Sequence, residues 1–310
     1  MLQPATEQQT ASAVLMARPN GFAFNAETAE TNSFAAGAPS PDLTRLALDE
    51  FDGLARRLSD AGVEVLVLDE PSGPDAVFPN NWISFHADGT AVLYPMATAS
   101  RREERNLPAV QRLLAASGRS IERLVDLTPH ETRGAYLEGT GSLVLDRPGR
   151  RGFASLGPRT HPTVVADFDR QLGYDTLTFR ANGPDGRPIY HTNVLMSLGT
   201  RFAVVCLDPV EPEDRNRLMG ALEAAGRTTV LVEWSQLCHF ACNILELRSR
   251  RGERLIALST QALSSLRPDQ RSQMERLGGE LVHAEIPTVE RVGGGGVRCM
   301  LAEVHLPPSG

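Results

Sequence analysis

The stretch Gly62-Val-Glu-Val-Leu-Val-Leu68 joins a glycine that suits the end of a helix to an apolar run of strand character. The same arrangement returns four times along the chain, at intervals of 56, 55, 53 and 52 residues. The later glycines are Gly118, Gly173, Gly226 and Gly278. One unit of this size cannot bury its own apolar face, so the spacing predicts five related units in one domain.

Each unit also carries polar residues at an equivalent place, where a second strand is predicted to begin. Counted from Asn81, the steps between these places are 57, 53, 52 and 56 residues. The places are Asn80-Asn81, Glu138, His191-Thr-Asn193, Asn243 and Cys299. A pseudo-symmetric scaffold would bring these residues to one axis, and a thiol, an imidazole and a carboxylate would then lie together.

The units alternate strands with amphipathic helices, which is typical of an α/β fold. Helices are predicted over 42–61, 101–117, 161–172, 211–225 and 260–277. Hairpin turns are predicted at Asp88-Gly89, Pro148-Gly149 and Leu198-Gly199. The last strand, 299–306, has no hairpin partner after it. We expect it to pair with the N-terminal strand at 13–18, which would close a five-bladed α/β propeller and remove an exposed edge.

Composition limits the function classes. A net charge of −7 and a pI near 5.6 argue against a nucleic-acid partner. No stretch approaches the length of a membrane span, and no secretory signal is visible, so a cytoplasmic protein with reduced cysteines is expected. Residues 1–12 are polar and predicted to be disordered, and 13–310 are predicted to form a single catalytic domain.

The unit that contains Cys299 favours a nucleophile. A lone cysteine is more often a small buried apolar residue. Here, however, four glycines at 293–296 and Arg298 precede it, and they allow close approach of a ligand and stabilisation of a thiolate. His191 is the natural general acid and base. Glu138 would orient the imidazole or hold a substrate nitrogen; the alternative is a solvated carboxylate in a turn.

Two segments break the repeat, at 25–41 and 182–189. Both are candidates for lids over the site, and a plain surface insertion is an equal alternative for the first. Cys238 and Cys242 form a pair of thiols without a matching second pair, so no metal site is predicted. No cofactor is predicted either.

Six motifs together resemble the guanidine-modifying enzymes of the pentein fold. They are Phe78-Pro-Asn-Asn81, Leu137-Glu-Gly-Thr140, Leu156-Gly-Pro-Arg-Thr160, His191-Thr-Asn193, Ala241-Cys-Asn243 and Gly294-Gly-Gly-Val-Arg-Cys-Met300. This family includes arginine deiminases, dimethylarginine hydrolases and amidinotransferases, and the likeness covers nearly the whole chain after residue 12. The branch that looks most similar is the citrulline-hydrolase branch related to arginine deiminases.

The resemblance implies roles for three residues. Cys299 would attack the central carbon of a guanidine-like group and form a covalent intermediate. His191 would protonate the departing amine and then activate water. Glu138 matches the family's catalytic carboxylate.

It also implies a substrate-binding set. Arg159 matches an arginine that binds the α-carboxylate of the substrate, and Arg101 or Arg102 would assist it. The motif that begins at Phe78 and contains Asn80 is expected to line the same site. The substrate is therefore expected to be a small amino acid, and a homodimer is left open.

The departures from the family pattern concern the substrate. Relatives that act on arginine usually carry acids where this chain has Asn81 and Asn193, and Gly141 replaces a third acid. A buried guanidinium without carboxylates is costly, whereas amides offer both donors and acceptors to a neutral ureido group. We therefore expect hydrolysis of citrulline to ornithine, ammonia and carbon dioxide. Asp75 would supply one acid, which keeps an arginine-type substrate open.

Four alternatives remain on the sequence alone. The first two are an arginine deiminase and a dimethylarginine dimethylaminohydrolase. An amidinotransferase would need an amine acceptor in place of water. A non-catalytic binding protein of the same fold is disfavoured because Cys299, His191 and Glu138 occur together.

Overall fold

The computed structural model describes residues 7–37, 40–70 and 73–308. In these ranges the strands form five sheets of three strands. The strands are β1 (Ala13–Ala17), β2 (Glu64–Leu68), β3 (Ile83–Phe85), β4 (Thr90–Leu93), β5 (Arg123–Asp126), β6 (Val144–Asp146), β7 (Arg151–Ser155), β8 (Asp175–Phe179), β9 (Met196–Leu198), β10 (Phe202–Cys206), β11 (Thr228–Val232), β12 (Leu245–Arg248), β13 (Arg254–Ser259), β14 (Glu280–Ala284) and β15 (Ala302–Glu303). The predicted five-unit α/β plan is confirmed.

All five sheets have the same topology. The middle strand pairs antiparallel with one neighbour and parallel with the other. A hairpin connects the antiparallel pair in four sheets, the fifth antiparallel pair joins the two ends of the chain, and a helical segment connects each parallel pair. The sheets are β15-β1-β2, β3-β4-β5, β6-β7-β8, β9-β10-β11 and β12-β13-β14. The first sheet joins the two ends of the chain, because Val14 pairs with Glu303 and Leu15 with Ala302. The predicted pairing of the two ends is thus confirmed, although the last strand is two residues long instead of eight.

The helices follow the predicted ranges, with two interruptions. They are α1 (Ala26–Ala29), α2 (Leu43–Asp60), α3 (Ala99–Arg102), α4 (Leu107–Ala116), α5 (Gly139–Ser142), α6 (Pro162–Leu172), α7 (Thr192–Leu195), α8 (Pro212–Ala224), α9 (Trp234–Leu237), α10 (Thr260–Ser265) and α11 (Pro268–Gly278). The single helices predicted over 101–117 and 260–277 are each split, because Pro108 and Pro268 occupy the start of a new helix. None of the helices in the described ranges has the length and apolar character needed to cross a membrane.

The core lies between these helices and the sheets. Helix α2, for example, buries Phe51, Leu54 and Leu58 and contacts β2 and β14. Burial of each such side chain contributes about 1.5–3 kcal/mol. Four of the five predicted terminal glycines have a positive φ, and in the last unit Gly279, with φ 95°, has it in place of Gly278.

The N-terminal segment differs from its prediction. Residues 1–6 lie outside the described residues, but 7–12 are ordered against the sheets. Glu7 is 3% exposed and forms an ion pair of 2.8 Å with Arg147. The Gln9 amide donates to the carbonyl oxygens of Leu145 and Leu198. These polar side chains are buried because they are paired with carbonyl groups of β6 and β9 and with Arg147, so polarity alone did not indicate disorder here.

The repeated polar residues also differ from their prediction, because they lie in short turns that precede the first strand of each sheet. Asn81 ends a 3-10 turn before β3, Glu138 precedes α5, and His191 precedes α7. Asn243 precedes β12, and Cys299 lies in a 3-10 turn before β15. Each sheet therefore presents one such turn.

Candidate active site

Three of the five turns line a small cavity, and Glu138 and Asn243, from the other two turns, contact His191 and Cys299. The cavity is lined by side chains from several of the repeated positions and by two arginines and one acid: Asn81, His191, Cys299, Arg101, Arg159 and Asp75. The predicted convergence of the thiol and the imidazole is therefore seen in the structure. Phe78 also lines this cavity, and the glycine run at 293–296 lies against its ring. A Cβ atom at Gly293 would lie 2.8 Å from that ring, so only glycine fits there.

Cys299 is 3% exposed and is held by amides from two neighbouring sheets. The Asn243 Nδ2 donates to Cys299 Sγ at 3.2 Å, and the Asn243 Oδ1 accepts from the Cys299 backbone amide. The thiol lies 3.7 Å from Asn193 Oδ1. Burial raises the pKa of the Cys299 thiol, while the Asn243 hydrogen bond and the charge of Arg298 oppose that shift. The free site therefore holds a neutral thiol.

Arg298 contributes less than the sequence suggested. Its guanidinium donates to the Leu301 carbonyl oxygen and to Glu303 Oε2, both at 2.8 Å. The hydrogen bond from Asn243 therefore lowers the pKa of Cys299 more than the charge of Arg298 does, because Arg298 is paired with Glu303.

His191 and Glu138 form the second part of the site. His191 Nε2 lies 2.8 Å from Glu138 Oε2, and both side chains are buried. Burial lowers the pKa of His191 to about 4, although the Glu138 carboxylate opposes the shift. Burial alone would raise the pKa of Glu138, but Arg159, His191 and Arg101 hold it well below its usual range. The pair is therefore a neutral imidazole beside an ionised carboxylate, and Nδ1 of the imidazole is left as the free base.

The pH dependence follows from this pair. We expect the acid limb of kcat/KM to fall near pH 4, well below the ordinary histidine value of 6.5, because His191 must be unprotonated in the free enzyme. The measurement is a pH profile of kcat/KM. Since a lowered histidine pKa also removes folding stability as pH falls below 6.5, circular dichroism over the same range separates lost catalysis from lost structure. An acid limb between pH 6 and 7 would contradict the assignment.

Two buried arginines, Arg101 and Arg159, contact other residues of the site. Arg101 Nη1 donates to Asn81 Oδ1 at 2.7 Å, and its other donors reach Glu104 and the Phe78 carbonyl oxygen. Arg159 lies over the Tyr190 ring, 5.0 Å from its centroid. Both cations face Glu138, whose Oε2 is 4.0 Å from Arg101 and 3.4 Å from Arg159.

The segment 25–37 covers this cavity. Arg159 donates to the Thr28 carbonyl oxygen at 2.7 Å and to Thr31 Oγ1 at 2.9 Å. The Asn32 amide donates to the carbonyl oxygens of Gly293 and Gly294. Asp75 Oδ2 accepts from Asn25 and from Thr28, so the segment also orients this acid. The first predicted lid region thus lies over the site.

Other predicted residues lie at the edge of the site or outside it. Asn193 contacts Cys299 but lines a neighbouring cavity, and Asn80 is fully buried away from the cavity wall. Arg102 donates to the Met96 and Ala97 carbonyl oxygens and does not line the cavity. Within the described ranges, none of the residues that line it falls in 182–189.

Sequence reasoning placed Asn243 at a repeated position but gave it no role in the site. Its position in the repeat, equivalent to Asn81 and Cys299, was the available signal. All four cysteines are free, and Cys238 is the exposed one.

Comparison with known proteins supports a family assignment. The model of the family described as "N,N dimethylarginine dimethylhydrolase, eukaryotic" matches residues 18–306. A comparison with curated protein sequences finds no match.

Solved structures share the fold. ArgZ, an arginine dihydrolase from the ornithine-ammonia cycle in cyanobacteria, superposes with a TM-score of 0.74 at 16% identity. The match covers 95% of this chain but only 41% of ArgZ, so this chain spans about two fifths of that protein. The N-terminal domain of an ArgZ variant, crystallised covalently bound to a reaction intermediate, gives 0.73 at 17% identity, with 95% of this chain and 99% of that domain covered.

A dimethylarginine dimethylaminohydrolase variant, crystallised as an adduct with S-methyl-L-thiocitrulline, gives a TM-score of 0.64 at 15% identity. That match covers 94% of this chain and 99% of the other. At these identities the likeness to solved structures establishes the fold, and the family match establishes the relationship. Because the family model matches nearly the whole length, the chain belongs to the dimethylarginine dimethylhydrolase family of guanidine-modifying hydrolases.

Proposed function

We propose that this protein is a cysteine-dependent hydrolase that acts on the ureido carbon of a citrulline-like amino acid. The observation that carries the proposal is the meeting of Cys299 and His191 on one cavity, with Glu138 behind the imidazole. A nucleophile, a general base and a group that orients the base are the parts that covalent hydrolysis needs.

In the first half of the reaction, His191 Nδ1 takes the thiol proton as Cys299 Sγ attacks the ureido carbon. A C–S bond forms, and the π pair of the C=O bond moves to oxygen. When the C=O bond re-forms, the C–N bond to the terminal nitrogen breaks and its pair stays on nitrogen. His191 returns the proton to that nitrogen and ammonia leaves. Glu138 stabilises the transient imidazolium because its carboxylate is ionised.

In the second half, water attacks the carbonyl carbon of the thiocarbamate held on Cys299. His191 removes a proton from the water as the new C–O bond forms. The C–S bond then breaks, the thiolate takes the proton from His191, and the carbamate that is released loses carbon dioxide to give ornithine. One citrulline and one water thus give ornithine, ammonia and carbon dioxide.

The substrate assignment rests on the amides at the site. Asn81 lines the cavity and Asn193 lies against the thiol, where two acids would be expected for a cationic substrate. A neutral ureido group matches amides that both donate and accept. These positions also favour the citrulline-hydrolase branch within the family.

One observation favours a second candidate, an arginine-type substrate. Asp75 lines the same cavity, and only its Oδ2 is engaged by Asn25 and Thr28 among the described residues. That acid would compensate a cation. A mutant of AgrE, which has the same fold at 17% identity, was crystallised with L-arginine.

We also propose that the five sheets form the blades of a closed propeller in a single catalytic domain. Support comes from the pairing of β15 with β1 and from contacts of β3 with β15, of β6 with β9 and of β9 with β12. In such a ring each blade would supply one polar turn to the axis.

The test is a substrate panel scored for ammonia and ornithine. We expect citrulline to be hydrolysed with kcat/KM at least about tenfold above that for arginine or dimethylarginine, since each mismatched polar group costs about 1–3 kcal/mol. An added amine acceptor should leave the rate unchanged, which separates hydrolysis from amidino transfer. Turnover of arginine without turnover of citrulline would make the second candidate the function.

A further inference from the structure

The carboxamide of Asn81 has a fixed orientation. Its oxygen lies 2.7 Å from Arg101 Nη1. A guanidinium group carries donors and no acceptor, so the atom that faces Arg101 must be the amide oxygen. The amide nitrogen of Asn81 is therefore turned away from Arg101.

Arg101 is itself held rigidly. Its Nε and Nη2 atoms donate to both carboxylate oxygens of Glu104, and Nη2 also donates to the Phe78 carbonyl oxygen. The Arg101 side chain is 2% exposed and the Glu104 side chain is fully buried. Burial would lower the pKa of Arg101, but the carboxylates of Glu104, Asp75 and Glu138 together outweigh burial and raise it, so the guanidinium stays charged. A planar, charged and buried donor cannot reorient to release Asn81.

The amide nitrogen of Asn81 is buried and has no hydrogen-bond partner within the described part of the chain. A buried donor left unpaired is destabilising, so a ligand that accepts a hydrogen bond from it would bind more tightly. Its position is marked by Gly141. A Cβ atom there would lie 2.5 Å from Asn81 Nδ2 and 2.7 Å from His191 Nδ1. The free donor and the free base therefore lie close to each other on two residues that both line the cavity, and a side chain at Gly141 would clash with both nitrogens.

We propose that Arg101 is a positioning residue, which fixes Asn81 as an N–H donor to the ureido oxygen of the substrate. This inference rests on the proposed function and deepens it. When Cys299 Sγ bonds to the ureido carbon, the π pair moves to that oxygen, and the Asn81 N–H stabilises the resulting oxyanion until the C=O bond re-forms. The guanidinium of an arginine-type substrate carries only N–H donors, so it would face the Asn81 N–H donor without an acceptor. Asn81 is then a catalytic residue, and Arg101 orients Asn81 instead of binding the α-carboxylate of the substrate.

The test compares kcat/KM for citrulline and for arginine in the wild type and two variants. Asn81→Asp keeps the shape but presents only acceptors beside Arg101. The double variant Arg101→Met with Glu104→Leu removes the buried pair together, which avoids an uncompensated charge and frees the Asn81 amide to turn. Arg112→Met, at an exposed ion pair on α4, is the matched control.

We expect Asn81→Asp to lower kcat/KM for citrulline by about 10²–10³-fold, as for loss of an oxyanion donor, and to lower that for arginine less. In the double variant, too, the kcat/KM for citrulline divided by that for arginine should fall. The control variant should keep the wild-type ratio. Equal losses for both substrates in both variants, with thermal melting confirming folded protein, would show a structural role and overturn the inference. A wild type that hydrolyses arginine alone would overturn the proposed function itself.

Discussion

Replacement of Cys299 by serine is expected to lower kcat for citrulline hydrolysis by about 10⁴-fold or more. A serine hydroxyl fills nearly the same volume and still accepts from Asn243, so the fold should persist. Its proton, however, is far harder for the neutral His191 to remove, and the alkoxide is not stabilised as a thiolate is. The measurement is a pair of initial-rate curves for ammonia release, with thermal melting as a check on folding.

Cys238→Ser provides the matched control, because Cys238 is exposed and lies outside the cavity. It should retain the wild-type rate. If the Cys299 variant kept more than about a tenth of the activity, catalysis would proceed without the covalent step, and the proposed mechanism would be wrong.

Glu138→Gln is expected to have the second-largest effect, a loss of about 10²–10⁴-fold in kcat. Glutamine keeps the shape but cannot stabilise the imidazolium that forms at each proton transfer. It also leaves the buried Arg159 and Arg101 without their shared carboxylate, which should cost about 3 kcal/mol or more in the free energy of unfolding. Initial rates and urea denaturation measure the two effects separately.

The stability effect should depend on pH. The folded-state pKa of Glu138 lies well below its unfolded-state value. Its contribution to the free energy of unfolding is therefore fully present above the ordinary glutamate pKa, and it is lost as pH falls from there towards the folded-state pKa. The gap in unfolding free energy between wild type and variant should therefore be largest near neutral pH and shrink under acid conditions. Glu131→Gln, at a partly buried ion pair with Arg105 outside the cavity, is the control. Similar rate losses in both variants would indicate a general effect of removing carboxylates.

Much of the fold could be predicted because its information is local. A glycine, a strand and a helix recur within each unit of about 55 residues, and each unit forms one three-stranded sheet. The polar positions were also found, since a repeat places equivalent residues on equivalent turns. Their assignment to strand starts was wrong because a turn of three or four residues has no periodicity to read. Prolines at 108 and 268, which begin new helices, were the signal for the two missed helix breaks.

The remaining features depend on contacts between distant segments. Glu7 is buried only because Arg147, from the third sheet, lies opposite it. Asn243 acquires a role only when its turn meets that of Cys299. Arg101 was predicted to hold a substrate carboxylate, whereas the pairing with Glu104 and Asn81 commits most of its donors. Such pairings depend on the tertiary structure, and no local sequence pattern predicts them.

The central claim is that Cys299 is the nucleophile at a site built for a planar ureido or guanidino carbon. Peptide-mapped mass spectrometry of the protein treated with 2-chloroacetamidine tests it most directly. The account predicts one adduct, on Cys299, that forms in step with loss of activity and is slowed by saturating citrulline. Full inactivation with the label on another residue, or with Cys299 unmodified, would contradict it.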